Sequence, residues 1–150
     1  MASPDTANAA VAIVAANAAA PGIEALAGAW DMVSSGEGSG LFLARRDGER
    51  LVHLFCPAGD DDLLVNVPGF RPVGSEERMS LGAGGAVVAL VADPAGDPLR
   101  GGVTGVGPVP TELAAILAGR PAINYGAQTN GPHPAPPAEM ARDFVIACTD

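Results

Sequence analysis

The sequence predicts a mainly β protein, a single-domain antiparallel β-sandwich or small barrel with an N-terminal helix and one short interior helix. Two observations carry this expectation. Between Ala29 and Cys148 the chain runs as short apolar segments, each cut by Gly, Pro, Asp or Ser, and a strand needs such a turn before the next can pair with it. Asp47-Gly48 stands between two of these segments, and this dipeptide is among the strongest short hairpin signals. At 150 residues and 48% hydrophobic content the chain is long enough to bury one core and too apolar for disorder. Its aromatic residues are four Phe, one Tyr and one Trp, so the core must be built mostly from aliphatic side chains.

Residues 1–22 form a unit of their own, and residues 23–150 form the β domain. In the N-terminal segment, Ser3-Pro4-Asp5 is a helix start, with a capping hydroxyl, a first-turn proline and an acid at the positive end of the dipole. Alanine has the highest helix propensity, and Pro21-Gly22 stops the helix. Val11 and Ile13 point to opposite sides, so the helix is apolar nearly all round and must bury itself, Val11 and Val14 included. The rival reading is an export-signal remnant, since AAVAIVAANAAA has the length of a hydrophobic signal core. The usual positive leader is missing, because Asp5 makes that stretch acidic. The run is too short to span a bilayer.

In the β domain, Trp30 and Met32 alternate with Asp31 in a first strand, and residues 34–40 read as a flexible turn. Residues 41–44 and 51–56 form a hairpin around Asp47-Gly48. Residues 63–67 make a strand that Pro68-Gly69 breaks, and residues 77–81 make a weaker one. The run 86–92 is apolar without alternation, which predicts that both of its faces are covered. A turn cluster at 93–98 leads to residues 103–106, a glycine-laced strand that implies a bulge or a close backbone approach. Thr111 caps the interior helix, Leu113, Ile116 and Leu117 form its apolar face, and Gly119 followed by Arg120-Pro121 ends it. A short strand at 122–125, a proline-rich loop at 132–137 and a final strand at 144–148 complete the chain.

Cys56 and Cys148 are the two cysteines, and each closes a strand-like run. They are expected to form a disulfide, and with it to mark an oxidising compartment, periplasmic or secreted; free thiols would place the protein in the cytoplasm. No metal site is expected, because two His and two Cys are scattered without ligand spacing. His53 and Cys56 are three apart on one strand and face opposite ways, so they cannot act as a catalytic pair. His133 lies between prolines, where a histidine is usually solvated. Tyr125 reads as a core residue with a wet tip. These three, Tyr125, His53 and His133, are the candidate ligand-binding residues. Asp60-Asp61-Asp62 lacks the spaced ligands of a calcium loop, and the glycines at 101, 102, 105 and 107 lack the Lys of a phosphate loop. No GxSxG nucleophile motif is present, so no catalytic residues and no cofactor are assigned.

A net charge of −9, with the eight basic residues all Arg and in no dense run, repels phosphate backbones and predicts no nucleic-acid partner. The expected function is an exported, non-enzymatic β domain that binds a protein or a small ligand. The alternatives are a structural subunit of a homo-oligomer or extracellular assembly, and a small enzyme of unrecognised type.

Overall fold

In the computed structural model, residues 28–149 are described, so the expected N-terminal helix lies outside the described residues. Nine strands form one antiparallel sheet. They are β1 (Ala29–Ser35), β2 (Gly38–Ala44), β3 (Arg50–Pro57), β4 (Asp62–Val67), β5 (Arg78–Ala83), β6 (Ala86–Ala92), β7 (Val103–Pro108), β8 (Ala122–Tyr125) and β9 (Gln128–Asn130). Two helices, α1 (Leu113–Ala118) and α2 (Ala138–Thr149), complete the described fold. The spatial order is β9-β8-β5-β6-β7-β4-β3-β2-β1. The class is β, as expected, but the sandwich is replaced by a single sheet curled into a half-barrel around its helices.

Strand alternation explains why one face is buried. The register aligns Leu41, Leu54, Val65, Gly105 and Ala92 in one row across β2, β3, β4, β7 and β6. Every member of that row is buried, and α2 and α1 pack over its two ends. Helix α2 packs on β1, β2 and β3, and α1 packs on β5 and β6. Leu113, Ile116 and Leu117 of α1 are fully buried, together with Phe144 of α2. Gly105 lets β5 and β6 press onto β7, since a Cβ there would lie 2.8 Å from the Met79 sulfur and 3.1 Å from the Leu90 Cβ. This is the close approach that the glycine-laced strand implied.

The open side of the half-barrel is spanned by the end of β9 and the segment after it. Asn130 Nδ2 donates to the Leu51 carbonyl of β3 (3.2 Å), and the Trp30 indole of β1 donates to the Pro134 carbonyl (2.7 Å). His133 is buried here, with Nε2 placed 2.6 Å from Asn130 Oδ1. The proline-rich loop is therefore a structural strap, and its histidine is not solvated as its neighbours suggested.

Several local expectations are corrected. Residues 144–148 belong to helix α2, with Met140, Phe144 and Cys148 spaced by four along its inward face. The supposed flexible turn at 34–40 is a tight hairpin turn at Gly36-Glu37, with Ser35 and Gly38 already paired. The β6 run is one-sided: Val87 and Val91 are 73% and 67% exposed, while Leu90 and Ala92 face the core. Thr111 does not cap α1; Glu112 holds that position without a side-chain cap bond, and the Thr111 hydroxyl donates to the Glu112 carboxylate instead (3.2 Å).

Cys56 at the end of β3 and Cys148 at the end of α2 stand at bonding distance, S–S 2.08 Å with Cα atoms 5.4 Å apart. The bond fastens the last turn of α2 to the sheet across a separation of 92 residues. Closing a loop of that length restricts the unfolded chain by up to about 4–5 kcal/mol in the chain-entropy account. Cys148→Ser, or reduction of the native protein, should lower the urea midpoint accordingly. A midpoint that does not move under either treatment would contradict a disulfide in the native state.

Candidate functional site on the convex face

Because strands alternate, the residues between the core positions project from the opposite, convex face. The register sets Phe42, His53, Asn66 and Thr104 side by side across β2, β3, β4 and β7. His53 sits between two phenylalanines, edge-on to Phe42 (centroids 6.0 Å) and tilted against Phe55 (6.2 Å). Gly40 makes room for the ring, since a Cβ at that position would fall 2.8 Å from His53 Nε2. Arg50, at the start of β3, lays its guanidinium over the Phe42 ring at 4.0 Å. That stacking contact orients the guanidinium while leaving its edge N–H groups open for ligands.

A roof is supplied by the loop between β6 and β7. Asp97 organises it: Oδ1 accepts from the Leu99 and Arg100 amides (2.9 and 3.0 Å), and Oδ2 accepts from the Thr104 hydroxyl (2.7 Å). Burial alone would raise the Asp97 pKa, but these hydrogen bonds and the Arg100 charge outweigh it and hold the carboxylate below its ordinary value. Arg100 Nη1 also pairs with Asp97 Oδ2 at 3.5 Å. Asn66 secures the loop to the sheet, donating to the Gly101 carbonyl and to the Thr104 hydroxyl, both at 3.0 Å. Gly102 must be glycine, because it has φ +67° and a Cβ would collide with the Val67 carbonyl.

Together these elements enclose a cavity of about 290 Å³ lined by Glu49, Arg50, His53, Asn66, Pro68 and Arg100. Two guanidinium groups therefore face one recess on a protein of net charge −9. Glu49 at its rim is paired with Arg45 (3.6 Å). The His53 pKa is lowered from 6.5 to about 4, first by burial and then by the charges of Arg50 and Arg100. The imidazole is thus neutral at pH 7 and offers one N–H and one lone pair.

Of the three sequence-predicted ligand residues, the structure places His53 in this recess and the other two elsewhere. The Tyr125 side chain is wholly buried, stacked on Phe70 at 5.8 Å. Its hydroxyl bonds Val73 and Glu76 backbone groups at 3.0–3.1 Å, so its tip is dry. His133 lies in the strap, its pKa lowered by burial and then by the Arg120 charge. Arg50, Asn66 and Arg100 were not singled out by the sequence. Arg50 is three residues from His53, a spacing that on a regular strand would send it to the other face. The ladder skips Leu51, pairing Val52 with Leu43 and Arg50 with Ala44, and that irregularity brings Arg50 to the face of His53. Arg100 reaches the site only through the fold. Among the described residues no three His, Cys, Asp or Glu side chains converge to hold a metal, and no helix is long and apolar enough to cross a membrane. Comparison with family models, curated proteins and solved structures returned no match.

Because the folded-state pKa of His53 lies below its unfolded value, protonation favours the unfolded chain. Stability is then full above about pH 6.5 and declines as pH falls toward 4. His133 contributes with the same sign. An NMR titration should show His53 protonating near pH 4, and Arg50→Gln should raise that midpoint. A His53 midpoint at 6.5 in the native protein would contradict the charged recess.

Proposed function

We propose that this protein is a binding module for a small anionic ligand, held at the convex face by Arg50 and Arg100 over a floor of His53 and Asn66. The observation that carries the reading is the pair of arginines, Arg50 and Arg100, that line one recess together with the half-buried His53 imidazole. Arginine favours carboxylate, sulfate or phosphate groups because its planar fork donates two parallel N–H bonds. Neutral His53 adds a hydrogen bond without needing a proton from solvent. Phe42 and Phe55 beside it offer apolar surface to the rest of the ligand.

The same geometry supports binding over catalysis. A ring with a pKa of about 4 is a weak base at neutral pH, and the lining contains neither hydroxyl nor thiol. The reading includes an exported, oxidising setting, supported by the Cys56–Cys148 pair at bonding distance.

Sulfate is a suitable probe, because its charge is constant between pH 4 and 7. Calorimetry or chemical-shift titration at low ionic strength should give saturable binding, with Arg50→Gln and Arg100→Gln each weakening it by about 10-fold or more, as expected for hydrogen bonds to charged groups. A bound anion offsets the arginine field and raises the His53 pKa. Affinity should therefore rise as pH falls toward 4, and His53→Gln should remove that rise. Linear, unsaturated shifts, or equal affinity in the Arg50→Gln/Arg100→Gln double variant, would overturn the proposal.

A further inference from the structure

The two helices leave an apolar groove between them. Helix α1 turns Leu113, Ile116 and Leu117 to the core, and α2 turns Phe144 and Cys148 inward. The two helices meet at a groove with a cavity of about 360 Å³, lined by Ala114, Ala118, Ala141, Val145 and Ile146, with Arg142 as the one charged residue of its described lining. Ile146 is 50% exposed there. An α2 surface helix with its polar side to solvent would place a polar residue at that position, so the fold has apolar surface on a second face of α2.

We propose that this groove seats the chain's own N-terminal segment, residues 3–20. The path of the chain supports this occupant. The described residues begin at Gly28, directly before β1, and the Trp30 indole of β1 is bonded to the Pro134 carbonyl. Pro134 immediately precedes Ala135 and Pro136, which belong to the groove wall. The segment is thus attached beside the groove, and eight intervening residues can reach up to about 26 Å when extended. Attachment at that distance makes docking intramolecular, with an effective concentration in the millimolar range.

The chemistry of the two surfaces matches. Residues 3–20 include Val11, Ile13 and Val14 among alanines, and their one charged side chain is Asp5. Such a stretch is marginal as an isolated helix and has no polar side to offer water. The alanines of the groove permit close approach of another helix backbone, while Val145 and Ile146 provide contacts for its branched side chains. The acid of Asp5 complements Arg142. The anion recess lies on the opposite face of the sheet, so docking in the groove leaves it open.

The test uses the full chain with methyl NMR and light scattering. In the wild type, the Ile146 and Val145 methyls should show nuclear Overhauser contacts to the methyls of Val11, Ile13 or Val14, in a monomer. Val11→Asp and Ala12→Pro should each abolish those contacts and shift the Val145 and Ile146 methyls, leaving the core methyls of Leu41 and Val65 in place. The absence of such contacts in the wild type would overturn the proposal whether or not the variants fold. A dimeric mass would overturn it in favour of a second copy's segment. A mature protein lacking residues 3–20 by mass spectrometry would overturn it in favour of an export signal.

Discussion

The rest of this structure depends on one constraint: a single antiparallel sheet has two faces, and 122 residues of described chain supply one layer to cover them. Helices α1 and α2 fill the concave face. Leu41, Leu54, Val65 and Ala92 lose their water there, against Leu113, Ile116, Leu117 and Phe144. Burial of this kind contributes about 25 cal/mol per Å² of apolar area and dominates the favourable side of folding. With few aromatics available, the core relies on close fit between aliphatic groups, and Gly105 shows how tight that fit is. The Cys56–Cys148 pair and the strap carrying Asn130 and His133 then hold the helices and the sheet ends in place.

The convex face is free for chemistry because the concave face is occupied. Strand alternation sends Phe42, His53 and Asn66 outward in the same register that sends Leu41, Leu54 and Val65 inward. The loop anchored by Asp97 and Asn66 brings Arg100 over the strands toward Arg50. Burial first, and then the charges of both arginines, lower the His53 pKa, so the recess combines a neutral imidazole with two guanidiniums. The fold and the binding proposal are linked at this point: the rigid sheet sets the positions of His53 and Arg50, and hydrogen bonds within one loop set the position of Arg100.

Local patterns made part of this legible in the sequence. The β2–β3 hairpin follows from alternation around Asp47-Gly48, α1 from the spacing of Leu113, Ile116 and Leu117, and β8 from a short apolar run between turns. Helix α2 was missed because residues 144–148 form an apolar run that suits a strand as well. The helical signal was the four-residue spacing of Met140, Phe144 and Cys148 after Pro136-Pro137, and it needed a longer window. The apolar β6 run suggested two covered faces, yet Val87 and Val91 are open to solvent. His133 is buried by a contact with Asn130 that neighbouring prolines do not announce. Arg100 and Arg50 are 50 positions apart, and their meeting depends on the pairing of β3, β4 and β7, which no local pattern encodes.

The claim that helix α2 completes the core beneath the sheet is tested most directly by Phe144→Ala, measured by urea denaturation with the cysteines left intact. Phe144 is fully buried on the face of α2 that meets the sheet. Truncating it should cost about 3–5 kcal/mol, the range for a buried phenylalanine whose site cannot collapse. A loss below about 1 kcal/mol, the scale of a surface substitution, would show that α2 does not fill the concave face and would contradict this account of the fold.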